Sequence, residues 1–150
     1  MPERFELGTL PYELLAGTTA AVDFIAALAS DAEDRRSRVL ESMAVVEEHE
    51  DRLFARLLDG LREIDRVVLH GSPRRRTPTA LFSVEGADPA EVYQGLADRG
   101  INAPASHFYA IEAIRWMGLE DSGAVRAGLA PYTDVEDVDR LLAGVKELAR

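Results

Sequence analysis

The stretch that decides the fold is residues 123–133, which read GAVRAGLAPYT. Its first half favours a β-strand and places apolar side chains at Val125 and Leu129. Because side chains alternate along a strand, Arg126 is expected on the face opposite Val125, where Gly128 leaves open space beside the guanidinium. A guanidinium in that position can bind a carboxylate through two parallel hydrogen bonds. A surface strand with a solvated arginine is the alternative interpretation.

The residues after this strand predict a final helix over residues 134–149. Thr133 is expected to cap it. The first turn carries Asp134, Glu136 and Asp137, whose negative charge is favourable at the positive end of a helix.

Length and composition predict one globular domain with a real core, since the chain has 150 residues, 47% of them apolar and 29% charged. The net charge of −10 argues against nucleic acid or an anionic membrane as the main partner. Cysteine is absent, which excludes disulfides, thiolate metal sites and thiol nucleophiles. No secretory signal is visible, and the apolar window at residues 16–29 is interrupted by Asp23, so a cytoplasmic location is expected.

The first 65 residues predict an extended segment and two helices. Residues 1–10 lack periodicity, and a helix is expected from Pro11 to about residue 29, rich in small residues. Apolar residues at spacings of three and four then predict a long helix over residues 31–64. At 1.5 Å per residue it would be roughly 50 Å long, which is typical of a helix that links two bodies.

From residue 66 the pattern changes to alternating strands and helices. Strands are expected at residues 67–69, 79–84, 101–103 and 124–130, and helices at residues 88–99, 109–117 and 134–149. The order β-β-α-β-α-β-α predicts an α/β two-layer sandwich in which helices pack on one face of a small mixed sheet.

Other candidate sites have simpler explanations. Residues 47–51, EEHED, are interpreted as a solvated face rather than a metal site, because hard cations need oxygens that converge from several segments. The three arginines at residues 74–76 are interpreted as an exposed loop, since no aromatic residues lie among them. The histidines, His49, His70 and His107, fall on different elements. Phosphate-binding loops, zinc-protease motifs and serine-hydrolase motifs are absent, so the sequence shows no self-contained catalytic constellation.

Three stretches resemble class V aminotransferases, specifically the cysteine desulfurase-like group. VRAGLAPYT at residues 125–133, followed by an acidic helix, resembles their C-terminal signature. RFELGT at residues 4–9 resembles their segment that reaches the cofactor phosphate, and residues 100–110 resemble the loop that carries the desulfurase cysteine. The resemblance covers essentially the whole chain.

The resemblance implies a fold-type-I enzyme that uses pyridoxal phosphate (PLP) on an amino-acid substrate and forms a homodimer. It implies that Arg126 and His107 bind the substrate, with Arg126 gripping its carboxylate, and that Gly8 and Thr9 contact the cofactor phosphate. In that family the cofactor lysine precedes the region matched here, and Lys146 is the single lysine of the sequence. The chain is therefore expected to correspond to the last third of such an enzyme and not to be active alone.

The same resemblance implies a division of the chain. Residues 1–30 would be a remnant of the large PLP domain, residues 31–65 a helix linking two domains, and residues 66–150 the small C-terminal domain.

One departure separates this sequence from the desulfurases. In the register set by Gly100, His107 and Ala110, the position of the sulfur-accepting cysteine holds Tyr109. A tyrosine cannot form a persulfide, so transamination, elimination, or lyase or epimerase chemistry is expected instead. A non-catalytic module for small-ligand binding or dimerisation is the alternative.

Overall fold

The computed structural model describes residue 4, residues 8–119 and residues 122–150. The chain divides into two compact units, Met1–Glu48 and His49–Arg150. The predicted boundaries at residues 30 and 65 stay predictions. Most of the predicted extended segment at residues 1–10 lies outside the described residues.

The first unit contains helix α1, Tyr12–Ala26, and the beginning of helix α2, Arg35–Arg62. Both helices were predicted and are confirmed, although each is shorter than expected. Pro11 stands at the N-cap of α1 without a side-chain hydrogen bond. The buried Ser42 hydroxyl accepts from the Ala29 amide and donates to the Ala26 carbonyl, each at 3.1 Å. These bonds fix the end of α1 against α2, so the first helix cannot continue to residue 29.

The second unit is built on four strands: β1 Val67–His70, β2 Thr79–Val84, β3 Ala105–Ser106 and β4 Ala124–Gly128. Their order in the sheet is β1-β2-β4-β3, and each neighbouring pair is antiparallel. The α/β class and the element order are confirmed, but the sheet is antiparallel where a mixed sheet was expected. The reason is that β4 inserts between β2 and β3 and runs opposite to both.

Helices α3 Pro89–Ala97, α4 Ile111–Trp116 and α5 Val135–Leu148 complete the unit. The packed face of the sheet carries Ala80, Phe82, Val84, Val125 and Ala127, all at most 4% exposed. They form one core with apolar residues of the helices: Leu53, Leu57 and Leu61 of α2, Val92 and Leu96 of α3, and Val138, Leu141 and Val145 of α5. Alternation along β2 and β4 therefore directs one set of side chains into this core.

Two local predictions in this unit are wrong. The third strand lies at residues 105–106 rather than 101–103, because the Ile101 amide closes the end of α3 by donating to the Leu96 carbonyl at 3.0 Å. The cap of α5 is Asp134, not Thr133. The Asp134 carboxylate accepts from the Asp137 amide at 2.9 Å, and the Asp137 carboxylate accepts from the Asp134 amide at 3.3 Å.

Gly123 shows why β3 and β4 can pair at the edge of the sheet. It has φ +76°, and a Cβ there would collide with the Ser106 carbonyl. Only glycine allows this approach, which brings the residues after β3 against the start of β4.

Candidate functional site

The Arg126 hollow lies on the face of the sheet opposite the packed face and has a volume of about 450 Å³. Three parts of the second unit line it: the segment from the end of β1 to the middle of β2, the loop 107–110 with α4, and β4. The lining residues are His70, Gly71, Pro73, Arg76, Thr77, Thr79, Leu81, His107, Phe108, Ala110, Ala113, Ile114, Met117 and Arg126.

Arg126 is exposed and projects from the middle of β4, as the alternation in the sequence predicted. In the strand register His70 pairs with Leu81, and Leu81 pairs with Arg126, so the three side chains form a row across one face. The Arg126 guanidinium carbon lies 4.0 Å from the centre of the Phe108 ring. Within the described part of the chain, no carboxylate pairs with this guanidinium. Its hydrogen-bond donors are therefore available to an anion.

The loop 107–110 places the Phe108 ring. Phe108 and Tyr109 both adopt left-handed backbone conformations, with φ 50° and 61°. Such a conformation costs roughly 1–2 kcal/mol for an ordinary residue. Three hydrogen bonds hold it: Ala110 N to His107 O at 2.8 Å, Phe108 N to Ser106 Oγ at 3.2 Å and Tyr109 N to His107 Nδ1 at 3.0 Å. Strain of this kind is found where the surrounding structure fixes a functional geometry.

Two histidines lie in the hollow. Because His107 Nδ1 accepts the Tyr109 amide, the neutral ring carries its proton on Nε2. His70 Nε2 lies 2.8 Å from the Ser83 hydroxyl. Burial lowers the pKa of His70, since the half-buried ring is harder to charge than a ring in water. His70 is therefore kept neutral over a wider pH range than an exposed histidine.

The structure brings two of the four predicted site residues together. Arg126 and His107 both line the hollow. Gly8 and Thr9 are exposed and belong to the first unit. Tyr109 lies beside His107, with ring centres 6.1 Å apart, and is 97% exposed.

Gly128 is not among the residues that line the Arg126 hollow. A Cβ on Gly128 would lie 3.5 Å from Thr79 Oγ1, which is an ordinary contact. Gly128 lines a second hollow of about 350 Å³, near Thr133 and Asp137. The loop 107–110 and α4 border the space beside Arg126.

Sequence reasoning missed His70 and Phe108. His70 falls 56 positions before Arg126 in the chain, and only the order of the strands brings the two onto one face. Phe108 stands next to the predicted His107, and that proximity was the one signal for it. The position of the Phe108 ring against the guanidinium depends on two consecutive residues with left-handed backbone conformations, which the sequence does not predict.

The rejected sites have structural explanations. His49 Nε2 lies 2.8 Å from the Thr133 carbonyl, and among the described residues no three acidic or histidine side chains converge as metal ligands. Arg74 and Arg75 are exposed, whereas Arg76 donates to the Thr79 carbonyl at 3.0 Å and lies over the Phe54 ring. Within the described ranges, no helix is long and apolar enough to cross a membrane.

Comparison with known proteins places the chain in a family. The sequence profile of Aminotransferase class-V matches residues 1–141. The chain belongs to this family. A probable cysteine desulfurase of Pseudomonas putida is 34% identical over 139 residues, which are 93% of this chain and 30% of that protein. An uncharacterised protein of Mycobacterium tuberculosis is 35% identical over 149 residues, 98% of this chain and 37% of the relative.

Solved structures of the class-V family share the fold. The apo structure of a cysteine desulfurase from Thermococcus onnurineus superimposes with a TM-score of 0.79 at 28% identity, over 99% of this chain and 34% of that one. The Escherichia coli cysteine desulfurase CsdA gives a TM-score of 0.75 at 23% identity, over 95% and 31%. The chain thus spans about a third of the length of these class-V relatives.

The class-V family implies PLP, and the residues present fit it only in part. A hollow that binds PLP covalently must offer an amine, but Lys146, the single lysine, is exposed on α5 and does not line the Arg126 hollow. The described lining of the hollow therefore lacks the amine that would hold the cofactor covalently. A Cβ added at Gly8 would have no described atom within 4 Å, and the neighbouring Thr9 is exposed. A phosphate could therefore reach the Thr9 hydroxyl.

Proposed function

We propose that this chain supplies the substrate-carboxylate receptor of a PLP-dependent class-V enzyme that acts on an amino acid. Arg126 is the receptor. The observation that carries the proposal is a guanidinium projecting from the centre of a strand into a hollow, with no carboxylate partner among the described residues. Guanidinium binds carboxylate through two parallel hydrogen bonds, and an anion there would satisfy donors that the chain leaves open.

The side chains around Arg126 support an orienting role. Phe108 stacks on the guanidinium, which restricts its plane and lowers the entropy lost when a carboxylate binds. His107 can donate from Nε2, because its Nδ1 is already bonded to the Tyr109 amide. We propose that His107 gives this hydrogen bond to the substrate.

PLP supplies an electron sink at the substrate α-carbon when it is bound. We propose that Gly8 and Thr9 contact its phosphate through a backbone amide and a hydroxyl, and that the amine for its aldehyde comes from outside these 150 residues. The chain has no cysteine, and Tyr109 stands where the resemblance places the sulfur acceptor. The proposed chemistry is therefore amino-acid chemistry that needs no persulfide on this chain, rather than true cysteine desulfuration.

Titration of the full chain with propanoate, using propanamide as the uncharged control, tests the Arg126 assignment. The Met117 methyl lines the hollow and can be observed by NMR after ¹³C-methyl labelling. Arg126→Lys keeps the charge but loses the paired geometry. A charge-assisted hydrogen bond contributes about 1.5–3 kcal/mol, so propanoate affinity should fall roughly ten- to a hundredfold.

Arg62→Lys is the matched control for this titration. Arg62 is exposed, pairs with Asp59 at 2.8 Å and does not line the hollow. The control should bind propanoate as the unmodified chain does. Equal affinity in Arg126→Lys and Arg62→Lys would make Arg126 a structural residue and end the proposal.

We also propose that the chain forms homodimers, and helix α1 supports this. Ala26 is the only buried residue that α1 contributes, while Tyr12, Leu14 and Phe24 are 65–69% exposed. Exposed apolar surface of this extent is typical of an interface. Burying one phenylalanine contributes about 1.5–3 kcal/mol, so Phe24→Glu should weaken self-association roughly tenfold or more in sedimentation experiments.

The control for self-association is Trp116→Glu, at an 87% exposed aromatic residue of the second unit. It should leave the association unchanged. A chain that sediments as a monomer at micromolar concentration would contradict the dimer.

A further inference from the structure

We infer that the Arg126 hollow selects carboxylic acids whose remaining part is bulky and apolar, such as an aromatic or branched side chain. This inference rests on the proposed role of Arg126 as the carboxylate receptor. It goes further because it names the class of substrate that the site favours.

Apolar side chains line the hollow together with the guanidinium. Leu81 is the cross-strand partner of Arg126, and its half-buried side chain stands beside it on the same face. Met117, Ala113 and Ile114 approach from α4, and Phe108 lies against the guanidinium. A ligand that bonds Arg126 through its carboxylate would therefore place its other atoms against carbon.

Three polar side chains of the hollow are partly engaged. His70 Nε2 lies 2.8 Å from Ser83 Oγ, and His107 Nδ1 accepts from the Tyr109 amide at 3.0 Å. Arg76 donates from Nη2 to the Thr79 carbonyl and lies over the Phe54 ring, whereas its buried Nε has no hydrogen-bond partner among the described residues. A strongly polar or positively charged substrate side chain would lose more water here than the open donors, His107 Nε2 and Arg76 Nε, can replace, which disfavours its binding.

No aspartate or glutamate is found among the described residues that line the hollow. A substrate ammonium group therefore has no anionic partner there, and a second positive charge on the ligand side chain is disfavoured. The described lining carries two guanidiniums, of Arg76 and Arg126, so the site favours an anionic ligand over a cationic one.

The space is sufficient for such a group. The hollow holds about 450 Å³, which is within the usual range of roughly 300–1,000 Å³ for small-molecule sites. A carboxylate alone would leave most of this volume filled with water against apolar walls. Displacing that water with an apolar group is the source of the expected selectivity.

A series of plain carboxylates tests the inference on the full chain: acetate, butanoate and 3-phenylpropanoate, with 3-phenylpropanamide as the uncharged analogue. Met117 lines the hollow and Met43 lies in the first unit, so their ¹³C-methyl signals give a reporter and an internal control in each titration. Each methylene that becomes fully buried is expected to raise affinity roughly fourfold. Butanoate should then bind up to roughly fifteenfold more tightly than acetate, and 3-phenylpropanoate more tightly still.

Ala113→Leu fills the hollow and is paired with Ala143→Leu as its control. Ala113 is exposed on α4 and lines the hollow, whereas Ala143 is exposed on α5 and does not. Both changes keep good helix formers. Ala113→Leu should weaken 3-phenylpropanoate severalfold and leave acetate unchanged, and Ala143→Leu should change neither.

The outcomes separate the inference from the proposed function. Acetate and 3-phenylpropanoate with equal affinities, both lowered by Arg126→Lys, would overturn the selectivity and leave the carboxylate receptor standing. Carboxylate binding that Arg126→Lys does not weaken, or 3-phenylpropanamide that binds as tightly as the acid, would overturn the receptor and the inference with it. Affinity that rises with apolar size, requires Arg126 and falls in Ala113→Leu supports both.

Discussion

The two faces of the sheet differ in how deeply their side chains are buried. On the packed face Phe82 and Val125 are 0% exposed, and α3 and α5 complete the core around them. On the opposite face the neighbouring positions Leu81 and Arg126 remain half-buried and exposed. The alternation of side chains along the strands thus produces a buried core on one side of the sheet and an accessible surface on the other.

This difference in burial explains why the proposed binding residue, Arg126, lies on the open face. A guanidinium on the packed face would need a buried partner, since an unpaired buried charge is costly. On the open face Arg126 stays hydrated and can exchange water for a ligand carboxylate. The same face carries His70, with His107 and Phe108 beside it in the loop that borders the hollow. In the proposed function, stability and binding therefore lie on opposite sides of β2 and β4.

Two neighbouring residues of β2, one on each face, are expected to give the largest difference in stability between the two faces. Phe82→Ala should lower the free energy of unfolding by roughly 3–5 kcal/mol, because it leaves a cavity in the core. Leu81→Ala removes a half-buried side chain and should cost about 1 kcal/mol. Urea unfolding of both variants measures the contrast, and equal losses would mean that the open face is packed as tightly as the core.

Removing the cap of α5, the helix that covers the packed face, is expected to cause a smaller loss of stability. Asp134→Ala removes the acceptor that bonds the Asp137 amide and should cost about 1 kcal/mol, within a range of roughly 0.5–2. Asp134→Asn is the control, since asparagine caps a helix about as well as aspartate. If the two variants lost the same stability in urea, the capping box would contribute nothing specific to the packed face.

Much of the fold followed from local patterns. Spacings of three and four predicted α2, start signals predicted α1 and α5, and alternation predicted β2 and β4. Strand order and orientation did not follow, because the insertion of β4 between β2 and β3 is set by long-range pairing. The third strand was misplaced for a local reason, since residue 101 still belongs to the end of α3 through its bond to Leu96.

The candidate site followed only in part. Arg126 was predicted from the strand and the resemblance, and His107 from the resemblance. His70 required the register of three strands, and Phe108 required the left-handed backbone of the loop. The roles predicted for Arg126, His107, Gly8 and Thr9 stay predictions until ligand binding is measured.

His70 gives the smallest and most local test of the comparison, because it asks whether the open face is more than solvated surface. Burial lowers the pKa of His70 from its usual value near 6.5. Below that pH the unfolded chain takes up a proton that the folded His70 resists, so unfolding becomes easier. The contribution of His70 to stability is therefore greatest above the unfolded pKa and is lost as the pH falls toward the folded pKa.

Two measurements check this sign. The His70 ring should titrate below its usual pKa in NMR, and His70→Gln should lose less stability than the unmodified chain when the pH is lowered through that window. Ser83→Ala, which removes the hydroxyl 2.8 Å from Nε2, separates the hydrogen bond from burial and should leave the pKa lowered, because burial is its cause. A His70 that titrates at or above the usual value would place the ring in water, and the open face would then lack the partly enclosed hollow on which the carboxylate site depends.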